Sequence, residues 1–454
     1  MSFKRTLLAA AFTTLALNAG MAIAKVSADE AARLKGELTP FGAERAGNAD
    51  GSIPEWTGGL TTPPAGYVKG GHQVDPFADE KPLYTVTAQN YKEYENLLSD
   101  GQKALFEKQP TFKLNVYPTH RTAPIPNWIA ENTHTNALNA ELTPDGNGVT
   151  NAYGGIPFPI PQNGQEAIWN HTLRWYGEGK DATYESATIY ANGSRAVTAG
   201  HLIETYPYYY KDGDISSFNG NIIQLLLQYS LPTRRKGEVT LVRDPVNASK
   251  EPRQAWQYIP GQRRVRRAPT IAFDTPDPGS NGLTTYDQAF MFNGSPERFD
   301  WELIGKKEML VPYNAYKFLA AHSKGTPMED IAQANHTNTD LERWEKHRVW
   351  IVEATLREDS RHIYGKRRFY LDEDSWFALM TDMYDGRGEL WRFGHSHPVA
   401  LYADGNIIAR ALTNYDLQSG DYAMQEYDTI PYVPQATKDD NFYTPQNVRQ
   451  MARR

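Results

Sequence analysis

The stretch HRVWIVEATLREDSRHIYGKRRFYLDEDSWFALMTDMYDGRGELWRFGHSHP, His347 to Pro398, constrains what this chain can fold into more than any other part of it. Between Arg348 and Arg357, the residues Arg348, Trp350, Val352, Ala354 and Leu356 share one side of a pleated strand, and Val349 and Ile351 take the other. Apolar residues on both sides place that strand well inside a sheet. From Lys366 a second run sets Arg367, Phe369 and Leu371 against Lys366, Arg368 and Tyr370. It stops at Asp372, Glu373 and Asp374, an acidic cluster that reads as a solvated turn. Ser375 to Tyr384 resumes the alternation, with Phe377, Leu379 and Met383 opposite Trp376, Ala378 and Met380. Asp385-Gly386-Arg387-Gly388 then supplies residues that tolerate positive φ before a further strand, Glu389 to Phe393. Connections this short cannot hold a parallel crossover, so the sheet is expected to be antiparallel.

Compartment limits what such a sheet can be for. Lys4 and Arg5 precede an apolar run, Leu7 to Leu17, and Ala22-Ile23-Ala24 is a small-x-small cleavage signal, so residues 1–24 are expected to be a secretory signal peptide. Its removal takes away two of 47 basic residues and none of 54 acidic ones, leaving a formal charge of -9. That balance disfavours nucleic acid as a partner. The chain has no cysteine, hence no disulfide, no thiol nucleophile, no thiolate-bound metal and no acylated cysteine anchor. Beyond the signal no run of about 18 apolar residues is present to span a membrane as a helix. An exported periplasmic protein is the expectation. Aromatic residues make up 12% of the chain, with 27 Tyr and 10 Trp, and cross-strand core packing explains them more simply than a ligand-lining role.

Along the chain, Ser27-Ala28-Asp29-Glu30 has capping-box spacing and predicts a short helix through Leu34. In the irregular run that follows, Asn48, Asp50, Gly51 and Ile53 match places of a calcium loop. Ala46 and Thr57 stand where its first and its bidentate acidic ligands belong, so the run reads as turns. Thr87 to Leu105 carries Tyr91, Tyr94, Leu97 and Leu98 at helical spacing, with Gly101 as a point of splitting. Gln165 to Tyr176 is a second expected helix, whose His171 lies among tryptophans and reads as a hydrogen-bonded structural residue. Strands are expected at Tyr184 to Tyr190, Arg195 to Tyr206, Ile222 to Leu231 and Gly237 to Arg243. In AWQYIPGQRRVRRAPTIAF, Trp256 and Tyr258 share a strand face, Pro260-Gly261 fit a type II turn, and Arg263 to Ala268 begin the return strand. Alternation sends Arg263, Arg264, Arg266 and Arg267 to opposite faces, where they are expected to stack on rings, pair with acids, or meet a lipid headgroup or partner. Thr326-Pro327-Met328-Glu329 predicts a helix start, and a second helix is expected near Thr339. Asn406 to Tyr415 and Tyr422 to Tyr427 are the last strands, before a polar tail from Pro431.

No nucleophile elbow, Walker loop, dinucleotide-binding glycine turn or His-Glu-x-x-His motif is present, so no catalytic residue is assigned. His395-Ser396-His397 puts two imidazoles within reach of one metal ion. No third ligand stands at motif spacing, and Gly394 and Pro398 make the segment read as a loop, so no metal site is assigned either.

Several of these stretches occur in the order seen in one family. LTPFGAERAGNADGSIPEWTGG, YGGIPFPIP, QEAIWNHTLRWYG, ELIGKKEMLVPYN and HRVWIVEATL with RHIYGKRRFYLDEDSW resemble the exported Gram-negative family called domain of unknown function 1329, over essentially the whole mature chain. That family is similar to the lipoprotein carriers LolA and LolB. The resemblance therefore implies an α+β fold in which a large curved antiparallel sheet, an open half-barrel, is covered by helices around an apolar cavity for acyl chains. A single domain is expected, with a loop-and-helix extension over 25–180 and a strand-rich body over 181–430. The resemblance further implies envelope export or lipid traffic beside an RND-type transporter and an outer-membrane protein. It implies no cofactor.

A sheet lined by large side chains can leave a dry cavity that holds a ligand by burial alone, at about 25 cal/mol per Å² of apolar surface. The residues expected to line it are Trp256, Tyr258, Trp350, Phe369, Trp376, Phe377 and Trp391, each subject to the strand alternation that sends neighbours to opposite faces. Two functions follow: a non-enzymatic periplasmic carrier for a lipid or other hydrophobic molecule, or a non-catalytic adaptor of an envelope transport complex. A lipid hydrolase ranks below both, because it lacks a nucleophile motif.

Overall fold

The computed structural model describes residues 26–268, 271, 273–402, 405–427, 433–434 and 438–451. The expected signal peptide and part of the expected tail lie outside them. Strands β1 (Tyr84–Thr87) and β2 (Lys113–Val116) come first. One meander follows: β3 (Gly179–Ile189), β4 (Arg195–Thr205), β5 (Asn221–Leu231), β6 (Val239–Pro245), β7 (Gln254–Ile259) and β8 (Arg264–Arg267). A second contains β9 (Phe299–Pro312), β10 (Trp344–Leu356), β11 (Lys366–Asp372), β12 (Ala378–Tyr384), β13 (Leu390–Leu401), β14 (Asn406–Asp416) and β15 (Tyr422–Tyr427), and β16 (Val433–Pro434) pairs with β3. The helices are α1 (Ala28–Ala32), α2 (Asp100–Lys108), α3 (Asn127–Asn139), α4 (Gly164–Thr172), α5 (Tyr316–Ala320), α6 (Met328–Ile331) and α7 (Pro445–Met451). No helix among the described residues is long and apolar enough to cross a membrane.

Among the described residues these strands form one open, mostly antiparallel sheet of 16 strands. Its order is β1-β2-β10-β11-β12-β13-β14-β15-β3-β4-β5-β6-β7-β8, with β9 on β10. The two meanders meet where Tyr422 of β15 pairs with Ile189 of β3. Among the described residues only the bridge between Val116 and Trp344 is parallel. The meander expected from His347 onward is present, and its turns show why it forms. Asp385 Oδ1 accepts the amides of Arg387 at 2.9 Å and Glu389 at 3.0 Å, and Gly388 takes φ +82°. Side chain and glycine together close a connection too short for anything but a hairpin.

Four expectations are corrected. The run Thr87 to Leu105 is not one helix: β1 ends at Thr87, a 3₁₀ turn covers Tyr91–Leu97, and α2 starts afresh at the capping box of Ser99 and Gln102. Gly101 therefore lies inside the first turn of α2 rather than at a break. No helix forms near Thr339; a turn leads straight into β10, because Trp344 already pairs with Pro312. The bend after β7 is a 3₁₀ turn, Pro260–Gln262, which moves the left-handed position from Gly261 to Arg263 at φ +51°. His395-Ser396-His397 lies within β13 and not in a loop. Gly394 is required there by close approach: a Cβ would stand 2.7 Å from Asn414 Oδ1 and 3.0 Å from Thr381 Cγ2.

The acidic cluster is the largest departure. Asp372, Glu373 and Asp374 do make a turn, but all three are buried. Arg121 donates to both oxygens of Asp374, at 2.8 and 2.6 Å, while Arg348 reaches Glu373 at 3.0 Å and Lys306 does so at 3.0 Å. The same arginines hold the N-terminal loop: Arg121 donates to the carbonyls of Glu44 and Arg45, and Arg348 to that of Ala46. Trp376 closes the turn at φ +62°, and its indole donates to Phe41 O at 2.8 Å. In the expected calcium-like run, Asn48 accepts the amide of Ile53 and Asp50 that of Ser52, which makes it a side-chain-stabilised turn.

Candidate functional site

Two cavities lie side by side where the segment 271–297 crosses the first meander. The inner one, about 130 Å³, is floored by Leu202 of β4, Ile223, Leu225 and Leu227 of β5, and Val242 of β6, and is roofed by Phe290. The outer one, about 180 Å³, is bounded by Trp169, Ile222, Pro245, Pro252 and Phe273. Asp244, Arg253 and Asn293 belong to both linings and form the wall between them. Arg253 pairs bidentately with Asp244 and donates to Asn293 O at 2.8 Å, while Asn293 Nδ2 donates to Asp244 Oδ2 at 3.2 Å. The Arg253 side chain is 15% exposed, so this polar wall is within reach of solvent.

The floor follows from β5, NIIQLLLQYSL. Its alternate residues Ile223, Leu225, Leu227 and Tyr229 point to the cavity, and Leu226 points to the opposite face, where it packs with Leu241 and with Tyr443 and Val448 of the C-terminal segment. Both faces are covered, so the strand carries apolar residues on each, and periodicity alone does not say which side is left unfilled.

The inner cavity is also lined by polar groups, of which Glu204, Thr240 and Asp244 are buried and Asp277, Gln425 and Glu426 half-buried. Lys180 Nζ meets Glu204 Oε2 at 2.8 Å, and Glu204 also accepts from the Tyr206 hydroxyl. Burial pushes Asp277 up to about 6, against hydrogen bonds from Gly279 N at 2.9 Å and Gln425 Nε2 at 2.8 Å. Behind Phe290 lies Arg174, fully buried, its guanidinium 3.8 Å from the centre of the Tyr176 ring and 4.4 Å from that of Phe377. Its Nε and Nη2 have no hydrogen-bond partner, and burial lowers its pKa well below the ordinary arginine value. His171 is structural, as expected: it accepts the amide of Ala378 at Nδ1, and its Nε2 lies 3.2 Å from Phe292 O.

The seven aromatic residues expected to line a cavity stand elsewhere than around these two. Trp256 and Tyr258 pack on the opposite face with Val448 of α7, and Ala255 is the β7 residue that packs with Val242 and Ile271. The offset of one residue is the strand alternation itself. Trp350 stacks parallel to Trp376, with Lys306 over its ring, and Phe369 packs against Phe292 and Trp301. Phe377 is buried against Tyr176 and Arg174, and Trp391 donates its indole N–H to Asp416 at 2.9 Å. Phe369, Trp376 and Phe377 are thus buried in the core of the second meander, and Trp350 and Trp391 are half-buried.

Arg263, Arg264, Arg266 and Arg267 are all exposed on the last strand of the sheet and the turn before it, and no ion pair or ring contact ties them to another described side chain. The expected stacking and acid pairing is corrected: β8 is an edge strand, and no element covers these side chains. The sequence missed the cavity floor and the Asp244-Arg253-Asn293 wall. The one available signal was Arg253 beside a proline in an otherwise strand-forming stretch.

The family model described as "Protein of unknown function (DUF1329)" matches residues 85–449. An uncharacterized protein of Pseudomonas aeruginosa is 43% identical over 455 residues, covering 99% of each chain. Solved structures are similar at a lower level. A domain from Vibrio parahaemolyticus, named for outer membrane lipoprotein sorting, is 14% identical, with a TM-score of 0.42 over 63% of this chain and 97% of its own. A LolA superfamily protein from Nitrosomonas europaea is 10% identical, with a TM-score of 0.37 over 63% of this chain and 98% of its own. The length and identity of the family-level matches decide the assignment: the chain belongs to the DUF1329 family of proteins of unknown function.

Proposed function

We propose that this protein is a non-enzymatic periplasmic carrier that holds a lipid or other hydrophobic molecule between the first meander and the segment 271–297, working with envelope export machinery. The observation that carries this reading is the pair of adjoining cavities divided by one polar wall. Each is smaller than the roughly 300 Å³ at which ligand pockets begin. Their volumes, about 130 and about 180 Å³, lie on the two sides of that wall, the first over an apolar floor. Apolar surface removed from water there is worth about 25 cal/mol per Å², enough to hold an acyl or polycyclic ligand without specific chemistry. The exposed arginines at the sheet edge, Arg263, Arg264, Arg266 and Arg267, suit contact with an anionic headgroup or an envelope partner.

The test is native mass spectrometry with lipid extraction on protein purified from periplasm without detergent, beside a Leu225→Trp variant that fills the inner cavity. A stoichiometric apolar molecule on the wild type, lost from the variant, is expected and names the ligand class. An empty wild-type protein that also takes up no fluorescent fatty acid would end the carrier reading in favour of the adaptor.

A further inference from the structure

The second meander holds a buried group of two imidazoles and a carboxylate, away from both cavities. His395 and His397 lie on β13, with a bulge between them where the β14 pairing passes from Thr413 opposite His395 to Arg410 opposite His397. Their ring centres are 4.8 Å apart. Glu342 comes from the turn before β10, and one ligand atom from each of the three lies within 4.8 Å of the others. His395 Nε2 is 4.0 Å from Glu342 Oε1. The three side chains are between 0 and 3% exposed.

Two independent features of this group are unusual for a packed core. The hydrogen bonds to the Glu342 carboxylate come from the Thr337 hydroxyl and the Trp344 indole, both neutral, and among the described residues no lysine or arginine stands within salt-bridge distance of it. An isolated buried carboxylate is costly unless a cation or a proton compensates it. Meanwhile neither ring nitrogen of the fully buried His395 makes a well-formed hydrogen bond, the backbone of Ser396 lying beside the ring in poor geometry. Buried polar groups are nearly always paired, so a group with neither nitrogen well bonded calls for a partner. A cation among the three would answer both at once.

A second group of ligand-type residues is compensated in larger part. His347, Asp372 and Asp374 also lie within 4.8 Å of one another. There Arg121 occupies both Asp374 oxygens, and His347 Nε2 faces Glu345 at 3.0 Å. Two of its three members thus have charged partners, and Asp372 accepts from the Tyr313 and Ser375 hydroxyls.

We propose that Glu342, His395 and His397 bind one divalent first-row transition-metal ion of the zinc class. Two neutral imidazoles and a carboxylate, with no thiolate, suit zinc, cobalt or ferrous iron rather than calcium or cuprous copper. Metal-ligand bonds of about 2.0–2.2 Å require ligand atoms about 3.4 Å apart in a tetrahedral site, so the set closes by roughly 1 Å on loading. His397 Nε2 lies 3.1 Å from Thr413 Oγ1, a contact of the kind that orients a ligand ring. The ion would fasten the middle of β13 to the segment that feeds β10, and so tie folding of the second meander to metal supply.

Because the group is buried, the test loads it during folding. The mature chain is unfolded in guanidinium with a chelator, freed of both by dialysis, and refolded with Co(II), with Zn(II) or with neither. One equivalent of Co(II) retained through gel filtration is expected, with the visible d–d bands of nitrogen and oxygen ligation. The melting midpoint should be several degrees higher for the metal-loaded protein. Glu342→Gln and His395→Gln, checked for folding by circular dichroism, should lose the ion and the shift. The spectrum of the wild type keeps the test decisive if either variant fails to fold. A wild-type protein refolded with either metal that retains none and melts at the metal-free temperature would overturn the site, and so would folded variants that retain the ion at the wild-type level.

Discussion

Asp382 shows how one side chain joins a helix to the sheet. Its carboxylate, fully buried on β12, accepts the amides of Asp100 at 3.1 Å and Gly101 at 3.0 Å, the Ser99 hydroxyl at 3.2 Å and the Tyr370 hydroxyl at 2.7 Å. The amides are those of the first turn of α2, where unpaired N–H groups favour a negative charge. Burial nevertheless dominates, and with the neighbouring charge of Asp100 it raises Asp382 to about 6. A carboxylate raised in the folded state keeps its proton longer than in the unfolded chain. Its contribution is therefore fully present below the unfolded value near 4 and is lost as pH rises through about 6. The loss is on the order of 3 kcal/mol at most. Urea denaturation at steps from pH 4 to pH 7 should show a steeper fall for the wild type than for Asp382→Asn, and parallel profiles would contradict the assignment. Gly101 belongs to the same joint, since a Cβ would lie 2.2 Å from Phe393 Cδ2. Gly101→Ala should cost about 1–3 kcal/mol in the same measurement, by pushing α2 off the sheet.

The turn between β11 and β12 makes the corresponding case for an element. It is held from outside by Arg121, whose side chain is 2% exposed and whose partners Asp374 and Glu373 are 1% and 2% exposed. Removing the arginine leaves buried carboxylates without their main counter-charge, which typically costs 3–5 kcal/mol. Arg121→Ala is expected to lose stability on that scale in chemical denaturation. It should also expose the 44–54 segment to limited proteolysis, since Arg121 holds the carbonyls of Glu44, Arg45 and Pro54. An intact segment at wild-type stability would show that the remaining contacts suffice. The turn also marks what the sequence could convey. Alternation and turn residues are local, so the meander from His347 was legible, hairpin by hairpin. The partners of Asp372, Glu373 and Asp374 come from more than 250 residues away in the case of Arg121, and a run of three acids carries no local sign of them. Pro398 and Gly394 were misleading for a related reason: each punctuates a chain locally, yet pairing with β12 and β14 carries β13 through both. The cavity floor was hidden in Leu225-Leu226-Leu227, where both faces of β5 are covered and only the neighbours decide which side stays unfilled.

At the scale of the whole molecule the two meanders are filled differently. The second is packed with aromatic rings and buried ion pairs. The first is covered on one face by the C-terminal segment around Tyr443 and Val448, and spanned on the other by the 271–297 segment, which leaves the cavities. On the carrier reading proposed above, a ligand must be both held and released, and the wall of Asp244, Arg253 and Asn293 is where those demands would meet. With Asp244 and Arg253 paired the cavities are separate. On the carrier reading, an Arg253 swung away from Asp244 would open one lining to the other, since both cavities share this residue. The pair is 10–15% exposed, so opening it costs only a part-buried ion pair rather than the full penalty of a dry one. Arg253→Ala should therefore speed both uptake and loss of a fluorescent fatty acid in stopped flow, with a smaller change in affinity than in either rate, because the apolar floor is untouched. Leu225→Trp should do the reverse, lowering affinity with little effect on the wall. If Arg253→Ala changes affinity through the loss rate alone and leaves uptake unchanged, the pair is part of the binding surface and not its gate. If it changes neither, the ligand lies elsewhere and the cavities are not its route.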